Sequence, residues 1–262
     1  MAVATTIARL SHMQAFYGHL NNLLDAQGGT MSLEAITSGS VPLRGVYFFF
    51  EPTEHRNESG AGLRVVRVGT HGLKAGAVST LYGRLRQHRG KLDGGGNHRS
   101  SIFRLLAGDA LMRSGEVGDC ATWGSNGGAS HTGSRSQAID DGEALVERVV
   151  SEQMATMRVA CINIGDDPGP DSQRGWIERN VIALLSNDGK QPLDAPSSEW
   201  LGNHSSRPRV RQSGLWNQNH VDDDYDPSFL TDLERHIRAA CSALERCGAG
   251  TMPATFALSR FT

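Results

Sequence analysis

The sequence lacks the features that mark several common classes of protein. Four cysteines are spread along 262 residues without a C-x-x-C pair, which argues against a zinc ribbon or a disulfide framework and favours reduced thiols. No apolar run is long enough to span a membrane, and the N-terminus lacks a basic-then-apolar signal pattern. We therefore expect a soluble cytoplasmic protein with no membrane partner.

The signatures of nucleotide cofactors and of serine hydrolases are also missing. The chain contains no G-x-G-x-x-G after a predicted strand, no Walker A sequence and no G-x-S-x-G. These absences argue against a dinucleotide-dependent oxidoreductase, a P-loop ATPase and an α/β-type serine hydrolase. They also leave a doubly wound parallel sheet without support.

Charge is nearly balanced over the whole chain but is unevenly distributed. The formal net charge is −2, so the total gives no reason to expect a polyanionic partner. Between residues 64 and 113, however, the only acids are Asp93 and Asp109. The basic residues of this block are Arg64, Arg67, Lys74, Arg84, Arg86, Arg89, Lys91, Arg99, Arg104 and Arg113. Such a block is typical of a surface that binds nucleic acid, and a solvated basic face is the alternative.

Hydrophobic periodicity and turn residues predict an α+β protein. The order strand, strand, helix, helix, strand, helix indicates a small, mainly antiparallel three-stranded sheet flanked by helices. The predicted strands cover residues 45–50, 63–69 and 158–164. Helices are predicted over 8–26, from Ser79 or Thr80 to Arg89, around Ile177 and Val181, and over 226–247. Two more helices are predicted from their caps: one capped by Ser100–Ser101 with Ile102, Leu105 and Leu106 facing inward, and one opened by the capping pair Asp140 and Glu143.

Four short motifs follow one another along these elements. They are Gly45-Val46-Tyr47 on the first strand, Val68-Gly69 on its partner, Arg84-Leu85-Arg86-Gln87-His88 on a helix, and Glu178 on a later helix. In this order they resemble the GIY-YIG nuclease family, which has a G-[IV]-Y strand, a Y-[IV]-G strand, an R-L-x-x-H helix and a helix with one Glu. The resemblance covers residues 43 to 190. The family includes some restriction enzymes.

The resemblance implies a metal-dependent endonuclease acting on DNA, with RNA left open. Tyr47, Arg84, His88 and Glu178 are the implied catalytic residues, and Glu178 is the implied ligand of Mg²⁺ or Mn²⁺. The residue types suit that chemistry, because a guanidinium binds phosphate with a fixed fork of donors and Mg²⁺ takes one or two carboxylates together with waters. Either Tyr47 or His88 would handle the proton of the attacking water.

The sequence departs from the family pattern at one motif. Arg67 stands where the family has its second tyrosine, so a phenol is missing there. Tyr82 on the next helix is a candidate substitute. The family also has an Asn some residues after its Glu, and Asn187 is the nearest match. Arg67, Tyr82 and Asn187 are therefore predicted as supporting residues.

The family resemblance divides the chain into three segments. We predict an N-terminal helical extension (1–40), a GIY-YIG-like catalytic domain (41–191) with an insertion near 108–140, and a C-terminal extension (192–262) ending in a helix. The predicted nucleic-acid contacts are Lys74, Arg86, Arg89, Lys91 and Arg99. Trp200 and Trp216 in the last segment would either stack on nucleic acid or anchor the segment.

Three functions remain open at this level, and the oligomeric state is open too, with a homo-oligomer among the possibilities. The first is a DNA endonuclease, with a restriction-type enzyme favoured by the short chain and the missing ATPase motif. The second is a GIY-YIG-like module that binds nucleic acid with little or no catalysis, which Arg67 favours. The third is an unrelated globular protein. The deciding observation is whether Tyr47, Arg84, His88 and Glu178 meet in space.

Overall fold

A four-stranded antiparallel sheet lies at the centre of the computed structural model, which describes residues 2–125 and 137–248 and the side chains of 5–125 and 141–245. The strands are β1 (Met31–Ser32), β2 (Gly45–His55), β3 (Leu63–Gly69) and β4 (Arg158–Asn163), in the order β1-β4-β2-β3. The predicted α+β class is confirmed. The three predicted strands are present, and the two-residue β1 extends the edge next to β4.

The helices cover both faces of the sheet. They are α1 (Ala2–Gln27), α2 (Leu81–Arg89), α3 (Ile102–Ser114), α4 (Gln137–Thr156), α5 (Gln173–Leu185), α6 (Pro208–Ser213) and α7 (Phe229–Gly248). Thr80 and Ser101 cap α2 and α3 as predicted, because each side chain accepts a hydrogen bond from a first-turn backbone N–H. No helix in the described part of the chain is long and apolar enough to cross a membrane.

Two details of the predicted helices are wrong. Helix α4 begins at Gln137, so Asp140 lies inside it and is not its cap. Glu143 forms an ion pair with Arg99 instead of capping the helix. On α3, Ile102 is 38% exposed and does not face the core.

The aromatic run of β2 is explained by burial on both faces of the sheet. Val46, Phe48 and Phe50 pack with α1, α5 and α7 in one core, and Tyr47 and Phe49 pack with α2, α3 and α4 in the other. Alternate side chains of a strand point to opposite faces, so a strand buried on both sides is apolar throughout. Tyr47 thus lies on the face covered by α2.

The strand β2 runs past its predicted end. The predicted strand ends at residue 50, yet the extended conformation continues through Pro52 to His55. The ladder with β3 is irregular between Phe50 and His55, and a proline is tolerated there because no ladder bond needs its missing N–H. The predicted long loop is correspondingly shorter.

The C-terminal segment covers the exposed edge of β3. The N–H of Trp216 donates to the Val66 carbonyl at 2.8 Å, and the Asn217 side chain bonds to both the N–H and the carbonyl of Val68. These contacts occupy backbone groups that an edge strand leaves unpaired. The division of the chain into three segments stays a prediction, and residues of all three share one apolar core.

Trp200 and Trp216 are anchors of that segment. They are 1% and 0% exposed, and both indole N–H groups donate to one oxygen of the buried Glu51, at 3.0 and 2.7 Å. Side chains held in this way are unavailable to stack on nucleotide bases. The interpretation of these two tryptophans as nucleic-acid contacts is therefore wrong.

Candidate active site

Two glycines allow close packing at the end of the β2–β3 hairpin that carries Tyr47. Tyr47 pairs with Gly69 across the two strands, and a Cβ atom on Gly69 would overlap the phenol ring. A Cβ atom on Gly45 would overlap the backbone carbonyl of Ile162 on β4. The glycine of the V-G motif is thus required by the Tyr47 ring, and the glycine of the G-V-Y motif by the close approach of the β4 backbone.

The hydroxyl of Tyr47 is hydrogen bonded to His88 on α2. The Tyr47 oxygen lies 2.8 Å from Nε2 of His88, and Nδ1 of His88 lies 2.8 Å from the Ser101 hydroxyl. Tyr47 and His88 are 1% and 0% exposed, and the rings of Phe49 and Phe103 pack edge-on against the imidazole. The pair therefore has one fixed geometry.

The environment of His88 keeps its imidazole neutral. Burial lowers the pKa of His88 well below its usual value, and the nearby charges of Arg67, Arg84 and Arg104 lower it further. Three cations around one imidazole oppose a fourth positive charge. The same cations favour negative charge on a group beside them, such as a phosphate oxygen or a phenolate.

Arg67 occupies the position of the missing family tyrosine and faces the same site. Arg67 pairs with Phe49 in the regular part of the ladder, two residues before Gly69, so the alternation of the strand places it on the face that carries Tyr47. Its guanidinium stacks on Phe103 and donates to the Trp216 carbonyl at 2.5 Å, and its Nε has no partner among the described residues. Burial lowers the pKa of Arg67, whereas Tyr47 and Glu178 raise it. A buried cation replaces the second phenol.

Arg84 and Glu178 complete the group of charges. Arg84 is partly exposed on α2 and donates to the Gln87 side chain at 3.0 Å and to the Ser100 carbonyl at 3.2 Å. Glu178 on α5 accepts a hydrogen bond from the N–H of Thr70, directly after Gly69, at 3.1 Å. The carboxylate thus lies at the end of β3 where Tyr47 is also found.

Glu178 fits a hydrated divalent cation as a single ligand. Burial raises the pKa of Glu178, and Arg67, the Thr70 N–H and Arg84 are among the groups that lower it. A bound cation would favour the ionised form that burial disfavours. The described residues contain no group of three or more His, Cys, Asp or Glu side chains able to hold a metal. One carboxylate suits Mg²⁺, which keeps most of its waters.

His71 belongs to the same region and was not identified from the sequence. It is buried directly after Thr70, with Nδ1 3.4 Å from the Ser79 hydroxyl and no partner for Nε2 among the described residues. Burial, Arg174, Arg44 and Arg84 lower the pKa of His71 to about 4. Only its place after the V-G motif would have indicated this residue.

The structure separates the predicted supporting residues. Tyr82 is partly buried and packs against the core on the side of α2. Asn187 bonds to the Arg9 guanidinium at 2.9 Å and to both backbone groups of Leu193. Its contacts thus lie with the N-terminal and C-terminal extensions, away from Glu178.

The basic block divides into buried and exposed cations. Arg64, Arg67 and Arg104 are buried. Arg99 is bonded through both terminal nitrogens to Glu143, and Arg89 donates to two backbone carbonyls. Lys74, Arg86 and Lys91 are exposed. The exposed members and the partly exposed Arg84 are the cations available to a polyanion.

The model of the GIY-YIG domain family matches residues 7–243, most of the chain, and the protein therefore belongs to the GIY-YIG family of nucleases. No curated protein and no solved structure gave a match.

Proposed function

We propose that this chain is an endonuclease that hydrolyses phosphodiester bonds in DNA with Mg²⁺ or Mn²⁺ bound at Glu178. The observation that best supports the proposal is the hydrogen bond between Tyr47 and His88 at the end of the β2–β3 hairpin where the Glu178 carboxylate binds the Thr70 N–H. Tyr47 and His88 are hydrogen bonded, and Arg84 acts electrostatically on both His88 and Glu178. Family membership supports nuclease activity in general.

Each side chain has a role that follows from its surroundings. When bound, the divalent ion supplies positive charge at the phosphate and lowers the pKa of a bound water. Arg84, partly exposed, binds the phosphoryl oxygens. The Tyr47 hydroxyl orients the attacking water, and as it takes up the proton of the water it passes its own proton to Nε2 of His88, which also holds the phenol in place. Arg67 supplies fixed positive charge beside Tyr47.

A restriction-type enzyme is the favoured subclass. The chain has no ATPase motif and is short, so recognition and cleavage would be carried by this one chain. The cations Lys74, Arg86 and Lys91 are exposed and would bind the DNA backbone. The competing function is a binding module with little catalysis, which the replacement of the second tyrosine by Arg67 favours.

The proposal is tested by plasmid cleavage with and without divalent ions. We expect nicked or linear products with Mg²⁺ or Mn²⁺ and none with excess chelator. Glu178→Ala should be inactive, and Arg84→Ala should cleave about a hundredfold to a thousandfold more slowly, the scale of losing a charge-stabilising donor. Glu152→Ala, an exposed acid on α4, is the matched control and should cleave normally.

The outcomes distinguish the candidate functions. Cleavage in excess chelator would overturn the assignment of Glu178 as metal ligand. Salt-sensitive DNA binding without any cleavage under all metals would favour the binding module. Discrete fragments from a long DNA of known sequence would support the restriction-type subclass, whereas preferential cutting of branched or flapped DNA would reject it.

A further inference from the structure

A segment of the C-terminal extension is attached to β3 close to Glu178. The Asn217 side chain accepts from the Val68 N–H at 3.1 Å and donates to the Val68 carbonyl at 2.8 Å. Val68 lies two residues before Thr70, whose N–H binds Glu178. The segment therefore begins beside the strand end that carries the proposed metal site.

The other end of the same segment is attached to the helix that carries Glu178. The Asp226 N–H donates to the Asn180 side-chain oxygen at 2.7 Å, and Asn180 lies two residues after Glu178 on α5. Residues 217–226 are thus tied on one side to β3 and on the other to α5. A chain of this length between those two points passes next to the carboxylate.

His220 is held in a defined orientation within this segment. Its backbone has φ of 64°, the left-handed region that residues other than glycine rarely adopt. Its Nδ1 lies 2.7 Å from Oδ2 of Asp223, so the Nδ1–H donates to the carboxylate and Nε2 is left as an acceptor. The imidazole lies within electrostatic range of Glu178: burial raises the pKa of Glu178, and Arg67 and the protonated form of His220 are among the charges that lower it. In the neutral form of the ring, Nε2 is an acceptor that carries no proton of its own.

We propose that His220 is a positioning residue of the active site, whose Nε2 accepts a hydrogen bond from a water molecule of the divalent ion at Glu178. The inference rests on the proposed function, because it requires a metal at that carboxylate. Imidazole is a poor direct ligand for Mg²⁺, but a water bound to a cation is a strong donor. An imidazole fixed by Asp223 repeats the way in which carboxylates orient histidines around metals.

The test measures Mn²⁺ binding directly, by the loss of the free-ion signal in electron paramagnetic resonance. Titrations are made on the full chain, alone and with a DNA duplex. His220→Gly, which suits the positive φ, should weaken Mn²⁺ binding about tenfold, the usual scale for an outer-shell partner. His220→Gln should restore part of the affinity, because its amide oxygen is again an acceptor. Asp223→Ala should weaken binding less than His220→Gly.

A neighbouring acid of the same segment supplies the control. Asp222 pairs with Arg209 on the surface, and Asp222→Ala should bind Mn²⁺ like the wild type. If Glu178→Ala loses Mn²⁺ while His220→Gly binds it normally, the role of His220 is overturned and the proposed function stands. If the wild type binds no Mn²⁺, or Glu178→Ala binds it unchanged, the metal assignment fails and the inference fails with it.

Discussion

At the residue scale, the hydrogen bond between Tyr47 and His88 separates two possible proton acceptors. Burial and the cations Arg67, Arg84 and Arg104 lower the pKa of His88, so its protonated form is strongly disfavoured before substrate binds. A phosphate that enters beside Arg84 would offset part of this positive charge. We therefore assign the contact with water to Tyr47, and the final uptake of the proton, once the phosphate is bound, to His88.

Tyr47→Phe tests this assignment. The ring keeps its packing, but the buried Nε2 of His88 loses its partner, which costs about 1–3 kcal/mol of unfolding free energy. Cleavage should fall by about two orders of magnitude or more, the contribution of a positioned acid–base group. Both quantities are measured, by denaturation and by single-turnover cleavage. Normal cleavage by Tyr47→Phe, together with an inactive His88→Ala, would make His88 the base.

The buried guanidinium of Arg67 is expected to serve activity more than stability. Its pKa is lowered by burial and its Nε has no partner, so the fold gains little from the charge. Arg67→Met should leave the unfolding free energy within about 1 kcal/mol of wild type. Cleavage should fall at least a hundredfold, because a preorganised positive charge beside Tyr47 is lost. If Arg67→Met lowers the unfolding free energy by as much as it raises the activation free energy of cleavage, Arg67 is a structural residue instead.

Glu178 links metal binding to the pH dependence of stability. Burial raises the pKa of its carboxyl group, so in the absence of metal the folded state holds the proton more tightly than the unfolded state. That contribution to stability is complete below the ordinary carboxyl pKa and is lost as pH rises through the raised value. The ionised carboxylate of Glu178 therefore lowers the unfolding free energy of the metal-free protein at neutral pH.

Glu178→Gln should remove that cost while keeping the acceptor for the Thr70 N–H. In chelator, the variant should be more stable than the wild type near pH 8, and the difference should shrink toward pH 4. Urea denaturation at several pH values measures it. A difference that is independent of pH would contradict the raised pKa. Addition of Mn²⁺ should stabilise the wild type only.

At the element scale, the prediction from sequence was most successful where one residue type determines a local structure. Gly28 and Gly29 end α1, Thr80 caps α2, and the alternation of β2 and β3 gives a hairpin. The β-bulge between Phe49 and Phe50 has no such signature, although regular alternation from Gly69 already places Arg67 on the face of Tyr47. The contacts of Arg67 there, with the ring of Phe103 and the carbonyl of Trp216, are known only from the structure.

The attachment of the C-terminal segment to β3 depends on Asn217. Its amide is hydrogen bonded to both backbone groups of Val68, and both groups are buried. Asn217→Ala should lower the unfolding free energy by about 1–3 kcal/mol, the cost of unpaired buried polar groups. The exposed neighbour Asn219 supplies the control, and Asn219→Ala should change stability by no more than about 0.5 kcal/mol. Matching values for the two variants would show that the segment is held by the tryptophans alone.

At the scale of the whole molecule, the sequence indicated the family and the sheet but not which of the basic side chains are buried in ion pairs. Ten basic residues in one stretch suggested a broad polyanion surface, yet Arg64 and Arg104 are buried in ion pairs with Glu54 and Glu147. Which arginines are used internally depends on acids that lie far away in the sequence, such as Glu147 on α4. No local pattern carries that information, whereas the motif residues are recognisable within a few positions.

The exposed cations, and not the whole block, should determine the salt dependence of DNA binding. Each phosphate contact contributes about 0.9 to the slope of log affinity against log salt, so Arg86→Ala with Lys91→Ala should reduce that slope by about 2. Binding is measured on Glu178→Ala protein by fluorescence anisotropy at several salt concentrations. Arg238→Ala, exposed on α7, should leave the slope unchanged. Arg99→Ala should change it by less than one contact, because Glu143 already binds that guanidinium through two hydrogen bonds. If Arg99→Ala lowers the slope as much as each of Arg86→Ala and Lys91→Ala does, DNA binding must separate Arg99 from Glu143. The surface that contacts DNA would then be the full basic block.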